Sequence, residues 1–456
     1  MNIEASHHQS LRQLIATRKA RVAVVGLGYV GLPLALTAHD EGFDTTGIDL
    51  DPERVNKVNQ GDQVISYLAP GRIARAVDSG RFRATQDSAA LAEADIVLIC
   101  VPTPLTEAQE PDMRYVTAAA ETIARHLRPG QLVVLESSVW PGATSTLVRP
   151  ILETGALRAG ADFFLGFSPE REDPGNDKFD THTIPKVVGA DDPLSLQLVE
   201  DFYRAIVTQA VPVSSAATAE AVKLVENSFR TVNIALVNEL KTALEAMDVD
   251  VWEVIQAAST KPFGFMPFYP GPGIGGACIP VSPAYLSWRA IEAGSATPII
   301  DLARTSNDAV PAALAARIAT ELIARNGSSA PAESQPLAGY KILLMGIAYK
   351  RDVEDTRRSP ALVLLGELER LGAEVDYHDP YFPRLPEGGE FPTLAGRQSV
   401  ALTAESLGRY EAVAIITDHS APDYDLIARE AALIFDTRNV FEKAGIKVTG
   451  GRLVKV

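Results

Sequence analysis

Four stretches of the chain set residue types at spacings that chemistry can use. The first is Gly26-Leu27-Gly28-Tyr29-Val30-Gly31, at the end of the apolar run 21–26 and ahead of another from Leu32. Glycines at these steps permit a tight turn, a close approach of pyrophosphate to backbone and a helix N-terminus facing the phosphates. Alone the pattern is weak. Here an acid, Asp49, stands about 20 residues further on at the end of the next apolar run, where a ribose-binding carboxylate belongs. That acid favours NAD over NADP, because a 2′-phosphate would meet a like charge. The competing reading, a glycine turn without a ligand, lacks a reason for Asp49. Arg54 either flanks the adenosine ribose or phosphate or is a surface charge.

The second stretch is Gly271-Pro-Gly-Ile-Gly275-Gly276-Ala277-Cys278-Ile-Pro280. A cysteine behind a glycine-rich loop leaves room for a substrate, and thiolate is a strong nucleophile. A lone cysteine is otherwise a small buried hydrophobe; that reading suits Cys100, inside Ile-Val-Leu-Ile-Cys-Val, and the glycines argue against it for Cys278. The third is Lys223, Asn227 and Arg230, whose offsets of four and three put them on one helix face. An ammonium and an amide can stabilise an oxyanion or fix a water, although pattern alone favours a solvated stripe. The fourth, Gly346-Ile-Ala-Tyr349-Lys350-Arg-Asp-Val-Glu-Asp-Thr-Arg357-Arg-Ser-Pro360, is either a phosphate-binding loop or an ordinary charged one.

The elements that must position these residues follow from hydrophobic pattern. Runs at 21–26, 43–48, 96–101 and 132–135 read as buried strands alternating with helices, hence a parallel sheet covered on both faces. From 216 to 247, Leu224, Val225, Phe229, Val232, Leu236, Val237 and Leu240 recur at helical spacing, and 251–258 is a second helix. Residues 326–335 have linker composition. Runs at 340–346, 373–379, 412–416 and 433–436 open a second α/β domain. The expected fold is therefore α/β, two Rossmann-like doubly wound domains joined by a helical middle domain. The expected boundaries are an N-terminal extension 1–20, a dinucleotide domain 21–212, a helical middle 213–325, a linker 326–339 and a C-terminal domain 340–456.

Bulk properties narrow the function class. The chain of 456 residues is 46% hydrophobic and carries a net charge of −16. Such a balance argues against a general nucleic-acid binder, yet leaves room for a local basic pocket and an anionic small substrate. Two cysteines, no leader-like apolar core and no apolar stretch of about 18 residues imply a reducing cytoplasm and no membrane span. His7-His8 reads as a solvated pair, and no metal-ligand set is read from the chain.

Taken in order, these motifs resemble the UDP-glucose/GDP-mannose dehydrogenase family, from about Arg21 to Arg438. Further markers are Cys100-Val-Pro-Thr103-Pro, Glu136-Ser-Ser-Val-Trp-Pro-Gly142, Ser168-Pro-Glu170-Arg171-Glu-Asp-Pro-Gly175, Pro185-Lys-Val-Val-Gly189 and Phe435-Asp-Thr-Arg438-Asn. The resemblance implies NAD held by Gly26, Gly28, Tyr29, Val30, Gly31, Asp49, Arg54, Thr103 and Ser138. It implies Cys278 as nucleophile, Lys223 and Asn227 stabilising negative charge and positioning water, and Glu170 assisting hydrolysis. Arg171, Glu172, Arg230, Gly275, Tyr349, Lys350, Arg357 and Arg438 would line a UDP-sugar. The implied reaction is oxidation of a sugar C6 hydroxymethyl to a carboxylate by two NAD, in a homodimer or higher homo-oligomer, with surface polysaccharide as the product's destination. Details around 167–176, 226–239 and 261–273 are more similar to the N-acetylhexosamine branch, giving UDP-N-acetylglucosamine first, then UDP-N-acetylmannosamine and UDP-glucose.

Three positions depart from the family pattern. Ser282 stands where an aspartate usually follows the cysteine, Ala277 where that branch often has histidine, and Val139 where a second hydroxyl is common. Serine cannot carry the aspartate's charge, so an active enzyme, a slow one and a non-catalytic UDP-sugar-binding protein all follow from the sequence, the first being favoured. A rival from the residues alone is a 3-hydroxyacid dehydrogenase, which would need neither Cys278 nor a second nucleotide domain.

Overall fold

The computed structural model describes residues 3–173, 178–326, 335–387 and 390–456. The Pro174-Gly175 end of one motif and most of the expected linker lie outside them. The chain packs as two compact units, Met1–Asn227 with Ala284–Ala296, and Ser228–Pro283 with Thr297–Val456. The division falls inside one helix, Ala216–Glu245, and not at the 212/213 boundary read from the sequence. The physical reason is length: its first turns bury Ala216 and Ala219 in the core of the first unit, while Val237 packs with Trp252 and Ile255 in the second.

The first unit is built on eight strands: β1 (Arg21–Val25), β2 (Asp44–Ile48), β3 (Phe82–Thr85), β4 (Ile96–Ile99), β5 (Leu132–Leu135), β6 (Phe164–Phe167), β7 (Lys186–Gly189) and β8 (Ala210–Val213). Their order is β3-β2-β1-β4-β5-β6-β7-β8. All pairs are parallel except β6 with β7. Alternation explains the uninterrupted apolar runs. Val22, Val24, Ile96, Leu98, Leu132 and Val134 enter the core on one face, while Ala23, Val97, Ile99, Val133 and Leu135 enter the core on the other. Most of the expected N-terminal extension is a helix, Ile3–Ala16. His8 on it is buried against Phe164, contrary to the solvated reading of that pair.

The second unit carries five parallel strands, β9 (Lys341–Met345), β10 (Glu374–His378), β11 (Ala412–Ile415), β12 (Ile434–Asp436) and β13 (Leu453–Lys455), in the order β10-β9-β11-β12-β13. Here too Ile342 and Leu344 face one core, Leu343 and Met345 the other. Helix Val251–Ala258 starts where Asp250 accepts a hydrogen bond from the Trp252 N–H, and helix Pro360–Arg370 where Ser359 caps and Pro360 opens it. Among the described residues no helix is long and apolar enough to cross a membrane.

Candidate active site

In the first unit the glycine turn is built as its spacing predicts. Gly26 has φ +93°, and a Cβ there would come within 2.5 Å of the Cys100 carbonyl oxygen; one on Gly31 would come within 1.8 Å of the Gly26 oxygen. Gly28 differs: a Cβ there would meet nothing within 4 Å. Its role is open space beside the backbone, which is where a pyrophosphate must approach. Asp49, half-buried at the end of β2, accepts hydrogen bonds from the Leu27 N–H (2.7 Å) and the Asp51 N–H (3.0 Å). Arg54 is tied into the turn rather than left on the surface, its guanidinium donating to the Leu27 carbonyl at 3.1 Å. The Tyr67 hydroxyl donates to the Tyr29 carbonyl at 2.7 Å, with the two rings stacked. Val30 precedes helix Gly31–Asp40. Thr103 and Ser138 are half-buried on the loops after β4 and β5. The first loop is held by Tyr285, whose hydroxyl donates to the Pro104 carbonyl at 3.0 Å; its distance in sequence hid this partner. Val139 is fully buried core. Open space at Gly28 and the half-buried Asp49 carboxylate at the next strand's end fit an adenine dinucleotide.

On helix Ala216–Glu245 the polar face is buried at Lys223 and Asn227, not solvated there. Lys223 is 7% exposed and Asn227 5%. One turn earlier, Glu220 accepts hydrogen bonds from the Gly142 N–H (2.5 Å), the Thr144 N–H (2.8 Å) and the Thr144 hydroxyl (2.6 Å), so this face also fixes the loop after β5. Arg230, further along, is exposed.

Glu170 lies just after β6. Its carboxylate accepts from the Glu172 N–H at 2.5 Å and from the Lys186 ammonium at 3.1 Å. Burial works to raise its pKa, but the charges of Lys186 and Lys223 and the Glu172 N–H bring it below the ordinary carboxylate value. Glu172 is pushed up to about 8, by burial first and by Glu170 second. Arg171 spends its guanidinium on Glu226 (2.6 Å) and the Pro185 carbonyl (2.6 Å).

In the second unit Cys278 is exposed. Its carbonyl accepts from the Ser282 N–H at 2.9 Å, where helix Ser282–Glu292 begins, and Ser282 itself is buried. The preceding loop is seated on the fourth sequence stretch. The Gly276 N–H donates to the Arg357 carbonyl at 2.9 Å. A Cβ on Gly275 or Gly276 would strike Tyr349, at 2.6 and 2.9 Å, and one on Gly271 would strike the Arg438 guanidinium at 2.7 Å. Asn238 and Thr231 hold the same loop, accepting from the Gly271 N–H (2.9 Å) and donating to the Ile279 carbonyl (3.3 Å). Arg357 forks onto Asp355 at 2.5–3.0 Å. Arg438 donates to the Ile416 carbonyl at 2.8 Å, and burial lowers its pKa. Lys350 is half-buried.

An open glycine turn with an acid at the end of the next strand, in a doubly wound sheet, fits a dinucleotide-binding domain. Comparison with known proteins sharpens this. Models of the UDP-glucose/GDP-mannose dehydrogenase family match at residues 20–207 (NAD binding domain), 217–309 (central domain) and 343–443 (UDP binding domain). The chain is 35% identical to UDP-N-acetyl-D-glucosamine 6-dehydrogenase of Pseudomonas aeruginosa over 79% of this chain and 83% of that one. It is 32% identical to UDP-N-acetyl-D-mannosamine dehydrogenase of Pyrococcus horikoshii over 93% and 96%. A solved UDP-D-ManNAc dehydrogenase structure from Pyrococcus horikoshii superimposes with TM-score 0.82 at 31% identity, covering 95% of this chain and 98% of that one. The chain belongs to the UDP-glucose/GDP-mannose dehydrogenase family and is an NAD-dependent dehydrogenase.

Proposed function

We propose that this dehydrogenase oxidises the C6 hydroxymethyl group of a UDP-sugar to a carboxylate, with UDP-N-acetylglucosamine the first-choice substrate. The observation that carries the reading is the burial of Lys223 and Asn227 on one helix face, with the Lys223 charge close enough to Glu170 to lower that carboxyl's pKa. The exposed Cys278 on its seated glycine loop supports it. NAD, when bound, supplies the hydride acceptor, two being consumed per turnover. Lys223 and Asn227 stabilise negative charge on the C6 oxygen as the alcohol loses its proton to solvent and its first hydride. The Cys278 Sγ then adds to the aldehyde carbon as the thiol proton moves to the C6 oxygen, giving a thiohemiacetal; loss of that hydroxyl proton to solvent together with the second hydride leaves a thioester. Water yields a proton to Glu170 and adds to the thioester carbon; the C–S bond breaks and Cys278 leaves as thiolate. Arg171, Glu172, Arg230, Gly275, Tyr349, Lys350, Arg357 and Arg438 are proposed to surround the UDP-sugar. Arg171 acts there through Glu226, given its pairing.

UDP-N-acetylmannosamine and UDP-glucose are the alternative substrates. The buried Ser282 supports slower turnover than an aspartate would give, because its hydroxyl cannot take a proton as a carboxylate does. We also propose self-association through the exposed Phe229, Leu236, Leu240, Phe265 and Met266. The test is to mix protein, NAD and UDP-N-acetylglucosamine, following NADH absorbance and product mass. Two NADH per acid are expected, with Cys278→Ser abolishing acid. Undiminished product from Cys278→Ser would favour the hydroxyacid reading, and silence with all three sugars would favour a binding protein.

A further inference from the structure

Two motif residues from the sequence, Glu136 and Lys186, have no part in the steps above, yet they sit with Glu170 in one buried cluster of the first unit. The Lys186 ammonium has three acceptors for its three N–H bonds: Glu136 at 2.6 Å, Glu170 at 3.1 Å and the Pro169 carbonyl at 3.2 Å. The other Glu136 oxygen accepts from the Tyr203 hydroxyl. Side-chain exposure falls from 11% at Glu170 to 3% at Lys186 and 0% at Glu136. Of these three side chains Glu170 is the one that keeps some exposure, and Glu136 has none. Two carboxylates and a single ammonium in such a place are expensive to assemble, and a stability role alone would be served better by apolar side chains.

We propose that Lys186 is a positioning residue for the hydrolytic half of the reaction: gripped from behind by Glu136, it keeps the Glu170 carboxylate aimed and anionic so that it can take the proton of the attacking water. The inference rests on the reading of Glu170 given above. Among the described residues, the titratable and charged groups facing Glu170 are Lys186 from β7, Glu136 after β5, Lys223 from the long helix and Glu172 on its own loop. Tyr203 and Cys100 stand behind Glu136, both pushed up chiefly by burial. Of these, Lys186 alone both touches Glu170 within hydrogen-bond distance and opposes the penalty of burial by charge. Without it burial prevails, and Glu170 is protonated at higher pH.

The test uses the full-length enzyme, its NAD and the UDP-sugar that wild type turns over. Acid release by rapid quench, first-turnover NADH and the mass of the Cys278 adduct are followed from pH 5 to 9. Lys186→Met is expected to slow acid release about 10²-fold at pH 7, more than it slows first-turnover NADH, so that the adduct accumulates. The acid limb of acid release should move up by about one unit or more. Lys186→Arg should restore the wild-type limb. Because Lys186→Met leaves two buried carboxylates uncompensated, Lys186→Met/Glu136→Gln is run beside it, with circular dichroism to score folding; the double variant should show the same upward limb. A limb at its wild-type position in whichever of the two variants folds, with only a lower rate, overturns the proposal. Should wild type reduce no NAD with any UDP-sugar, the reading of the reaction fails instead, and this inference with it.

Discussion

The two units build the same turn and use it differently. In each, a strand ends at a glycine with positive φ, Gly26 at +93° and Gly346 at +82°. In each, a Cβ on that glycine would strike the main-chain oxygen of the neighbouring strand's end, Cys100 at 2.5 Å and Thr417 at 2.3 Å. In each, the next residue's N–H donates at 2.7 Å to an aspartate closing the adjacent strand, Asp49 or Asp379. There the likeness stops. Gly28 leaves open space, whereas its counterpart is Ala348, whose carbonyl accepts from the Thr417 hydroxyl at 2.6 Å. Asp49 is half-buried with two N–H donors. Asp379 is 2% exposed and takes bonds from Ile347, Ala348, Tyr381 and His419. Burial works to raise its pKa, but the His419 bond and charge and the N–H donors hold it below the ordinary carboxylate range. One frame thus yields a receptive turn when its acid keeps lone pairs free, and a sealed joint when the protein fills them.

Four experiments break or sharpen that contrast. Gly26→Ala and Gly346→Ala should hurt alike, each losing about 3 kcal/mol in chemical denaturation, since both force a side chain into a strained backbone and a main-chain oxygen. A tolerated alanine at either site would dissolve the likeness. The aspartates should then separate. Asp379→Asn is expected to cost about 2 kcal/mol of stability by disturbing a filled buried network, with the KM for NAD unchanged. Asp49→Asn should raise that KM about tenfold, the ~1.4 kcal/mol worth of one good bond, at a smaller stability cost; the opposite ranking would sink the contrast.

Acid sensitivity should divide the units as well. Glu136 in the first is raised to about 7, by burial first. A carboxyl that holds its proton more tightly folded than unfolded stabilises the fold while protonated, and that stability is lost as pH rises from about 4.5 through 7. Amides of β5 should therefore exchange faster at pH 7.5 than at pH 5, after correction for intrinsic rates, by a margin worth about 1–2 kcal/mol. Asp379 has the opposite sign, its stabilisation being present at neutral pH and lost only as pH falls through its lowered folded value, so β9 should hold steady over that range. Smallest of all, Gly28→Ala should shift stability by no more than about 0.5 kcal/mol while weakening NAD.

Local pattern made much of this legible. The sequence gives β5 and helix Val251–Ala258 to the residue, and the strand–turn–acid unit around Gly26 and Asp49, because each signal lies within a few residues or one supersecondary step. The reversal at β6 and β7 carries no such signal, being set by how the chain re-enters the sheet. The burial of Lys223 was hidden for the same reason: a helix face of Lys and Asn reads as wet unless its partners are known, and Glu220, on that face, meets residues 76 positions away. Lys186 and Glu136 could be picked out as markers, but their pairing across 50 residues exists only in the folded sheet.

The long helix also constrains how this chain can change over generations. Glu220, Lys223 and Asn227 occupy one side of it at steps of three and four. Each residue of an α-helix turns the side chain by about 100°, so a single insertion or deletion between Glu220 and Asn227 would swing one part of the set away from the other. A substitution at an exposed position between them, such as Val225, is cheap, whereas a change of length there would part the Gly142 loop from the Lys223–Asn227 pair in one step. Descendants of this chain should vary in letters along that stretch and hold its count.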